Sequence, residues 1–435
     1  MFQVVLGAPV LVKVLGALLL ILVINRFHRH LAISVAVGAV TLGLWSGHSF
    51  STMVGIAGGK IASADSLLLL LIIFQVIWLS SQMSITGVME DLVAAVRAVV
   101  SQRAAMAALP AVIGFLPMPG GALFSAPLVD RCDVAGGIAP PLKAQTNHWF
   151  RHVWEYWWPL YPGVLLAMEI THLEVWQFMI FGAPLCLCAI GAGYFFLLRR
   201  IPSDESAPPQ RPPHALRALL VLVLPILVVI GGYAAVRSSY AVVTAIRPGM
   251  PHLNRYVPMV IGLCAAGAVL QVQRPLGRAE WKRILLSWQP INMAIIVAMI
   301  LVYSAFVEAT LPNGQPLVAQ MHAEMTDWGI PLVAVVVLLP LVSGLATGLS
   351  VGFVGASFPI VIGPLVGSSS FGTLLSTTVL AYGFGYMGML LSPVHVCLIV
   401  TSEHFHTGVL RNIAGLLKPA AVMLLLTVLL HFLLG

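Results

Sequence analysis

Long apolar runs with few charged residues recur along the chain, separated by short polar or Gly/Pro-rich breaks. The clearest are Ala8 to Ile24, Leu31 to Trp45, Ser66 to Met83, Ala215 to Val236, Tyr256 to Val272 and Ala420 to Leu434. Crossing a hydrocarbon layer of about 30 Å takes about 20 apolar helical residues, so the pattern predicts an all-α polytopic membrane protein. One stretch departs from it: Ile201 to His214 (IPSDESAPPQRPPH), preceded by Arg199 and Arg200. This stretch cannot bury enough apolar surface to fold and reads as a cytoplasmic linker over 201–214, between halves 1–200 and 215–435.

The halves echo each other. PMPGGALFSAPLV (Pro117 to Val129) aligns with LSVGFVGASFPIV (Leu349 to Val361), which sets Pro127 opposite Pro359 at an offset of 359 − 127 = 232. Trp158-Pro159-Leu160 aligns with Ser392-Pro393-Val394 at 393 − 159 = 234, and Glu169 faces Glu403 at the same offset. Each half parses as three spans, a broken segment that enters and returns, and two further spans. Five crossings is an odd number, so the second repeat must be inverted relative to the first. Hairpins are expected near 105–128 and 331–362, and broken helices near 152–172 and 378–400.

Composition and charge sharpen this picture. Of 435 residues, 59% are hydrophobic and only 9% charged, against about a quarter charged in a soluble domain. The net charge of +7 fits basic residues gathered on one side of a membrane rather than a nucleic-acid partner, since no basic run is interleaved with aromatics. With the N-terminus outside, most of the arginines and lysines, Arg26, Arg29, Arg97 and Arg103 among them, fall in cytoplasmic segments, and only Lys60, Arg237, Arg247 and Arg255 fall clearly outside. That asymmetry predicts ten crossings with both termini outside. No basic leader precedes the first apolar run, which reads as a retained span. The five cysteines, Cys132, Cys186, Cys188, Cys264 and Cys397, lack zinc-site spacing and read as small apolar fillers.

The chemistry is expected where non-helical backbone sits at membrane depth. Pro117, Met118, Pro119, Gly120, Gly121 and Ser125 form the first such segment, and Thr347, Gly348, Ser350 and Ser357 the second. An unsatisfied backbone group in lipid costs several kcal/mol, so re-entrant hairpins are the natural solution. Half-helix N-termini at the tips suit an anion, while freed carbonyls with the Thr347 and Ser350 hydroxyls suit Na⁺. A packing account also exists, because Gly348, Gly352 and Gly355 have small-residue spacing.

NHWFRHVWEYWWPLYPG (Asn147 to Gly163) places Arg151, His152 and Glu155 within one turn at the start of a span, ahead of Trp158, Pro159, Tyr161 and Pro162. The prolines should break the helix. A carboxylate inside a span points to proton coupling or substrate contact, whereas Trp149 and Trp154 read as an interfacial aromatic belt. In the second half Ser392, Pro393 and His395 form the equivalent break, with His395 a candidate ligand or proton carrier. Glu403, His404, Lys13 and Asp65 are expected at span ends in contact with water.

Together FLPMPGGALFSAP, NHWFRHVWEYWWPLYPG, GLSVGFVGASFP and LLSPVHVCLIVTSEHF resemble a prokaryotic integral membrane family of unknown function, numbered 401, within the ion transporter superfamily. The resemblance implies two inverted repeats with hairpins and interrupted helices, a homodimer, an elevator motion and anionic substrates. Sodium-coupled dicarboxylate members carry Ser-Asn-Thr at both tips; here the first tip is Pro-Met-Pro-Gly-Gly, which leaves proton coupling through Glu155, His152 or His395 open beside Na⁺. The expected function is a secondary active transporter of a small organic anion in the cytoplasmic (inner) membrane, with no cofactor beyond Na⁺ or H⁺. The alternatives are a membrane-embedded enzyme and an anion channel. An enzyme would need a nucleophile and base, or His/Glu metal spacing, within the spans; there is no HExxH, and the one His-x-x-Glu, His152 and Glu155, lacks a second ligand nearby.

Overall fold

A computed structural model describes residues 7–115, 117, 121–133, 136–202, 215–367 and 369–435. Met118, Pro119 and Gly120 of the first tip and nearly all of the 201–214 linker lie outside the described residues. The described chain is built from helices, and its single isolated bridge joins Thr310 to Pro316.

The first half runs α1 (Val10–His28), α2 (Leu31–Trp45), α3 (Phe50–Ala62), α4 (Ala64–Ile85), α5 (Val88–Val99), α6 (Gln102–Gly114), α7 (Ala122–Asp130), α8 (Pro140–Arg151), α9 (Pro162–Thr171) and α10 (Val175–Phe196). Local chemistry marks the starts. Ser49, Ser63 and Ser101 accept N–H groups at the beginnings of α3, α4 and α6. Proline opens α8 and α9, where its missing N–H costs nothing. The second half runs α11 (Ala215–Ile246), α12 (Val257–Gln273), α13 (Arg278–Leu285), α14 (Trp288–Val307), α15 (Leu317–Asp327), α16 (Leu332–Thr347), α17 (Ser350–Val361), α18 (Phe371–Leu390), α19 (Val396–His404) and α20 (Val409–Leu434). Six helical stretches among the described residues are long and apolar enough to cross a membrane, and several shorter apolar helices accompany them. By length and composition, the chain is membrane-embedded.

Two groups of helices emerge from the packing. In one, α2 lies against α14 and α12 against α4, while α1 and α11 flank them. In the other, the hairpins α6/α7 and α16/α17 pack against the interrupted pairs α8/α9 and α18/α19, with α10 and α20 alongside. At the boundary, Gly355 of α17 sits so close to α14 that an added Cβ would stand 2.5 Å from Ile300.

Four expectations change. Of the three glycines at small-residue spacing, only Gly355 serves close helix packing, against α14; Gly348 is a left-handed cap, Gly352 faces Thr347 of its own hairpin, and a further close approach uses Gly344 of α16 against Gly385 and Gly388 of α18. Lys13 is buried within α1, whose first N–H groups, Val10 and Leu11, donate to Glu324 at 2.9 and 2.7 Å. Trp149 and Trp154 form no interfacial belt. Their indoles donate to the carbonyls of Ala189 (2.8 Å) and Ala111 (2.7 Å) inside the protein. The first interrupted helix also starts earlier than expected, at Pro140: α8 carries Lys143, Gln145, Thr146, Asn147 and His148, all buried, so its polarity conceals it from an apolar-run search.

Candidate functional site

The four interrupted elements meet in one place. Gly163, in the first turn of α9, abuts the N-terminus of α17, where an added Cβ would stand 2.5 Å from the Ser350 Cβ. Gly121, which starts α7, lies against the Arg151 guanidinium. Cys397, in the first turn of α19, accepts from Arg151 Nη1 at 3.2 Å, and α19 packs against α7. Four half-helix N-termini therefore converge around Arg151, and each contributes positive end charge and orphan N–H groups.

The breaks also free carbonyls, and side chains from both the opposite half and the same half take them. Tyr382 and Tyr386 of α18 donate to the Glu155 carbonyl (2.7 Å) and the His152 carbonyl. Within each half, Tyr161 donates to the Gly114 carbonyl and Ser392 to that of Leu345 at 2.6 Å. This satisfies backbone polarity in the protein interior, the condition for a broken helix to persist away from water. Gly348 closes the second tip with φ of 63°, and an added Cβ would stand 2.9 Å from the His395 backbone.

Arg151, His152, Glu155, Tyr161, Ser350, Ser392 and His395, each a candidate from the sequence, lie around one centre. The Glu155 carboxyl faces the Ser350 side chain and lies 3.8 Å from His152 Nε2. Trp158 is buried against Phe115, its ring centroid 4.5 Å away, and lines the base of the first tip. Pro117 is buried. Ser125 is buried in α7, and its hydroxyl has no hydrogen-bond partner among the described residues. Thr347 and Ser357 turn their hydroxyls onto their own helices, to Ser343 (2.7 Å) and Phe353 (2.6 Å).

Two members escaped the sequence reading. Cys397 is no apolar filler: it touches a guanidinium and a helix N-terminus. His148 also joins, so the His152, Glu155 pair does have further ligands nearby: His148, His152 and His395 offer nitrogen atoms all within 4.8 Å of one another. Spacing could have found His148, since residues i and i+4 share a helix face, but His395 arrives from the other half of the chain. Glu169 and Glu403, aligned in sequence, differ in setting. Glu169 is buried and accepts from Arg255 (2.5 Å) and Tyr256 (2.6 Å), whereas Glu403 is exposed.

A cavity of about 530 Å³ reaches the second tip from the turn between α1 and α2. Its lining includes Arg26, Arg29 and His30 at one end and Thr347, Gly348 and Val394 at the other.

No curated protein matches the chain. A family model matches residues 11–434, and on that coverage the chain belongs to the family described as "Protein of unknown function (DUF401)".

Proposed function

We propose that the protein is a secondary active transporter that carries a small organic anion by alternating access, coupled to protons through Glu155. The observation that carries this is the convergence of four half-helix N-termini with Arg151 on one buried point, an arrangement suited to a carboxylate. Glu155 occupies that electropositive centre as an internal anion. Protonating Glu155 removes its charge and leaves the field for a substrate carboxylate, so a proton and an anion would load together. The cavity lined by Arg26, Arg29 and His30 gives an electropositive approach from the face that charge asymmetry assigns to the cytoplasm.

Support for inverted repeats comes from element order. The helices from α6 to α10 recur as α16 to α20, with starts separated by between 350 − 122 = 228 and 409 − 175 = 234 residues. Contacts recur likewise: α2 meets α14 as α12 meets α4, and α9 meets α17 as α19 meets α7. Two such repeats, each with three spans, a hairpin, an interrupted helix and a last span, make a ten-crossing carrier of the ion transporter superfamily type. The hairpins and interrupted helices would form the moving body and α2, α4, α12 and α14 the frame.

Purified protein in proteoliposomes tests this with a panel of carboxylates and imposed gradients. Gradient-driven accumulation of a carboxylate under an inward proton gradient is expected, with Glu155→Gln losing the proton dependence. Equilibration without accumulation would leave a channel, turnover without movement an enzyme, and unchanged coupling in Glu155→Gln would remove that residue from the mechanism.

A further inference from the structure

The three buried histidines pose a lone-pair problem. His152 Nδ1 lies 2.7 Å from the His148 carbonyl, and His395 Nδ1 lies 2.6 Å from the Gly348 carbonyl. A carbonyl can only accept, so each Nδ1 carries the proton, and in the neutral ring each Nε2 then presents a lone pair. Yet those two Nε2 atoms face each other at 3.0 Å. Two lone pairs at that distance repel, so the contact needs either a second proton on one ring or a metal ion drawing both nitrogens in. The third ring is set up the same way. His148 commits Nε2 to the Leu390 carbonyl at 2.9 Å, and its buried Nδ1 has no partner among the described residues.

We infer that His148, His152 and His395 form a binding site for a divalent transition metal ion of the zinc class. Three neutral imidazoles, each oriented by a hydrogen bond from its other nitrogen to a backbone carbonyl, are the usual first and outer shells of such a site. Tetrahedral coordination at about 2.0–2.1 Å separates ligand nitrogens by roughly 3.3 Å; the present spread, from 3.0 Å to within 4.8 Å, closes on an ion by small side-chain rotations. Glu155, at 3.8 Å from His152 Nε2, supplies negative charge beside it. Arg151 Nη1 also approaches His152 Nε2, at 3.3 Å, so loading displaces the guanidinium from that contact while its contact with Cys397 remains. The three ligands are themselves neutral, so Glu155 offsets the ion's charge only in part and the fourth position is open to a carboxylate or water oxygen. The site stands on imidazole geometry and does not depend on transport.

Metal-stripped protein in detergent is titrated with Zn²⁺ and, separately, with Co²⁺ as a spectroscopic probe. The expected result is one ion per chain, a visible Co²⁺ spectrum of tetrahedral nitrogen type, and at least a tenfold loss of affinity in each of His148→Gln, His152→Gln and His395→Gln. His404→Gln, a histidine away from the cluster, should bind as wild type does. Size-exclusion profiles identify variants that are not folded, and for any such position the same readout is taken from a His→Asn variant. Absence of stoichiometric binding below about 10 µM in the wild type overturns the proposal, as does full binding in folded variants of all three positions. If metal binds but no carboxylate is moved, the site stands and the transport proposal fails; the reverse outcome separates them equally.

Discussion

At the scale of single residues, positions matter here for what the opposite half brings to them. Gly348 is one: its positive φ of 63° and the His395 backbone 2.9 Å from any added Cβ leave no room for a side chain. A left-handed non-glycine residue costs about 1–2 kcal/mol before any clash is counted. Gly348→Ala is expected to lower the melting temperature in detergent and to impair uptake. Gly363→Ala, where a Cβ meets nothing within 4 Å, should do neither. Equal melting of the two variants would contradict the close approach. Arg151, Glu155 and His395 were legible because charge and imidazole are conspicuous in apolar runs. Cys397 was not, because a thiol among Val and Leu looks like filler until its neighbours are known.

At the scale of elements, the first interrupted helix shows how a polar helix survives away from water. α8 is buried from Leu142 to Arg151, with Asn147 donating to Thr401 at 3.0 Å and Trp149 to Ala189. Its start is held by Asp133, which accepts from Gly137 (3.0 Å) and Ile138 (3.2 Å) and pairs with Lys143 at 2.8 Å. Burial pushes the Asp133 carboxyl up, but Lys143 and the two N–H groups outweigh it and hold it below the ordinary carboxylate value. A depressed carboxylate contributes stability that is present above its unfolded value of about 3.9 and is lost as pH falls through the folded one. Asp133→Asn should therefore cost about 1–3 kcal/mol near neutral pH, and the gap to wild type should close below about pH 4. Thermal melts across that range check both the size and the sign; a gap independent of pH would point to the side-chain amide geometry instead.

At the scale of the whole molecule, the proposed motion requires the hairpins and interrupted helices to slide past the frame. The α14/α17 boundary, where Ile300 meets Gly355, is one place where that sliding can be stopped. In the pair Ile300→Cys, Gly355→Cys, oxidative cross-linking is expected to abolish uptake and reduction to restore it. Full cross-linking, verified by mass spectrometry, with uptake unchanged would exclude movement across this boundary. Across the boundary of α9, Glu169 with Arg255 and Tyr256 ties the two groups at the opposite end, and must rearrange in the same motion.

By itself the sequence determined the solvent and the kind of segment: apolar runs long enough to span a bilayer and Gly/Pro-rich interruptions between them. These are local properties, fixed by the cost of exposing charge or bare backbone to lipid, so they can be read in one dimension. Only the tertiary structure decided that four helix ends share one point, that tyrosines of α18 satisfy the carbonyls freed after α8, and that His395 joins His148 and His152 from 243 residues away along the chain. Those contacts depend on how two halves pack, and packing of side chains at long sequence separation leaves no periodic trace in either half.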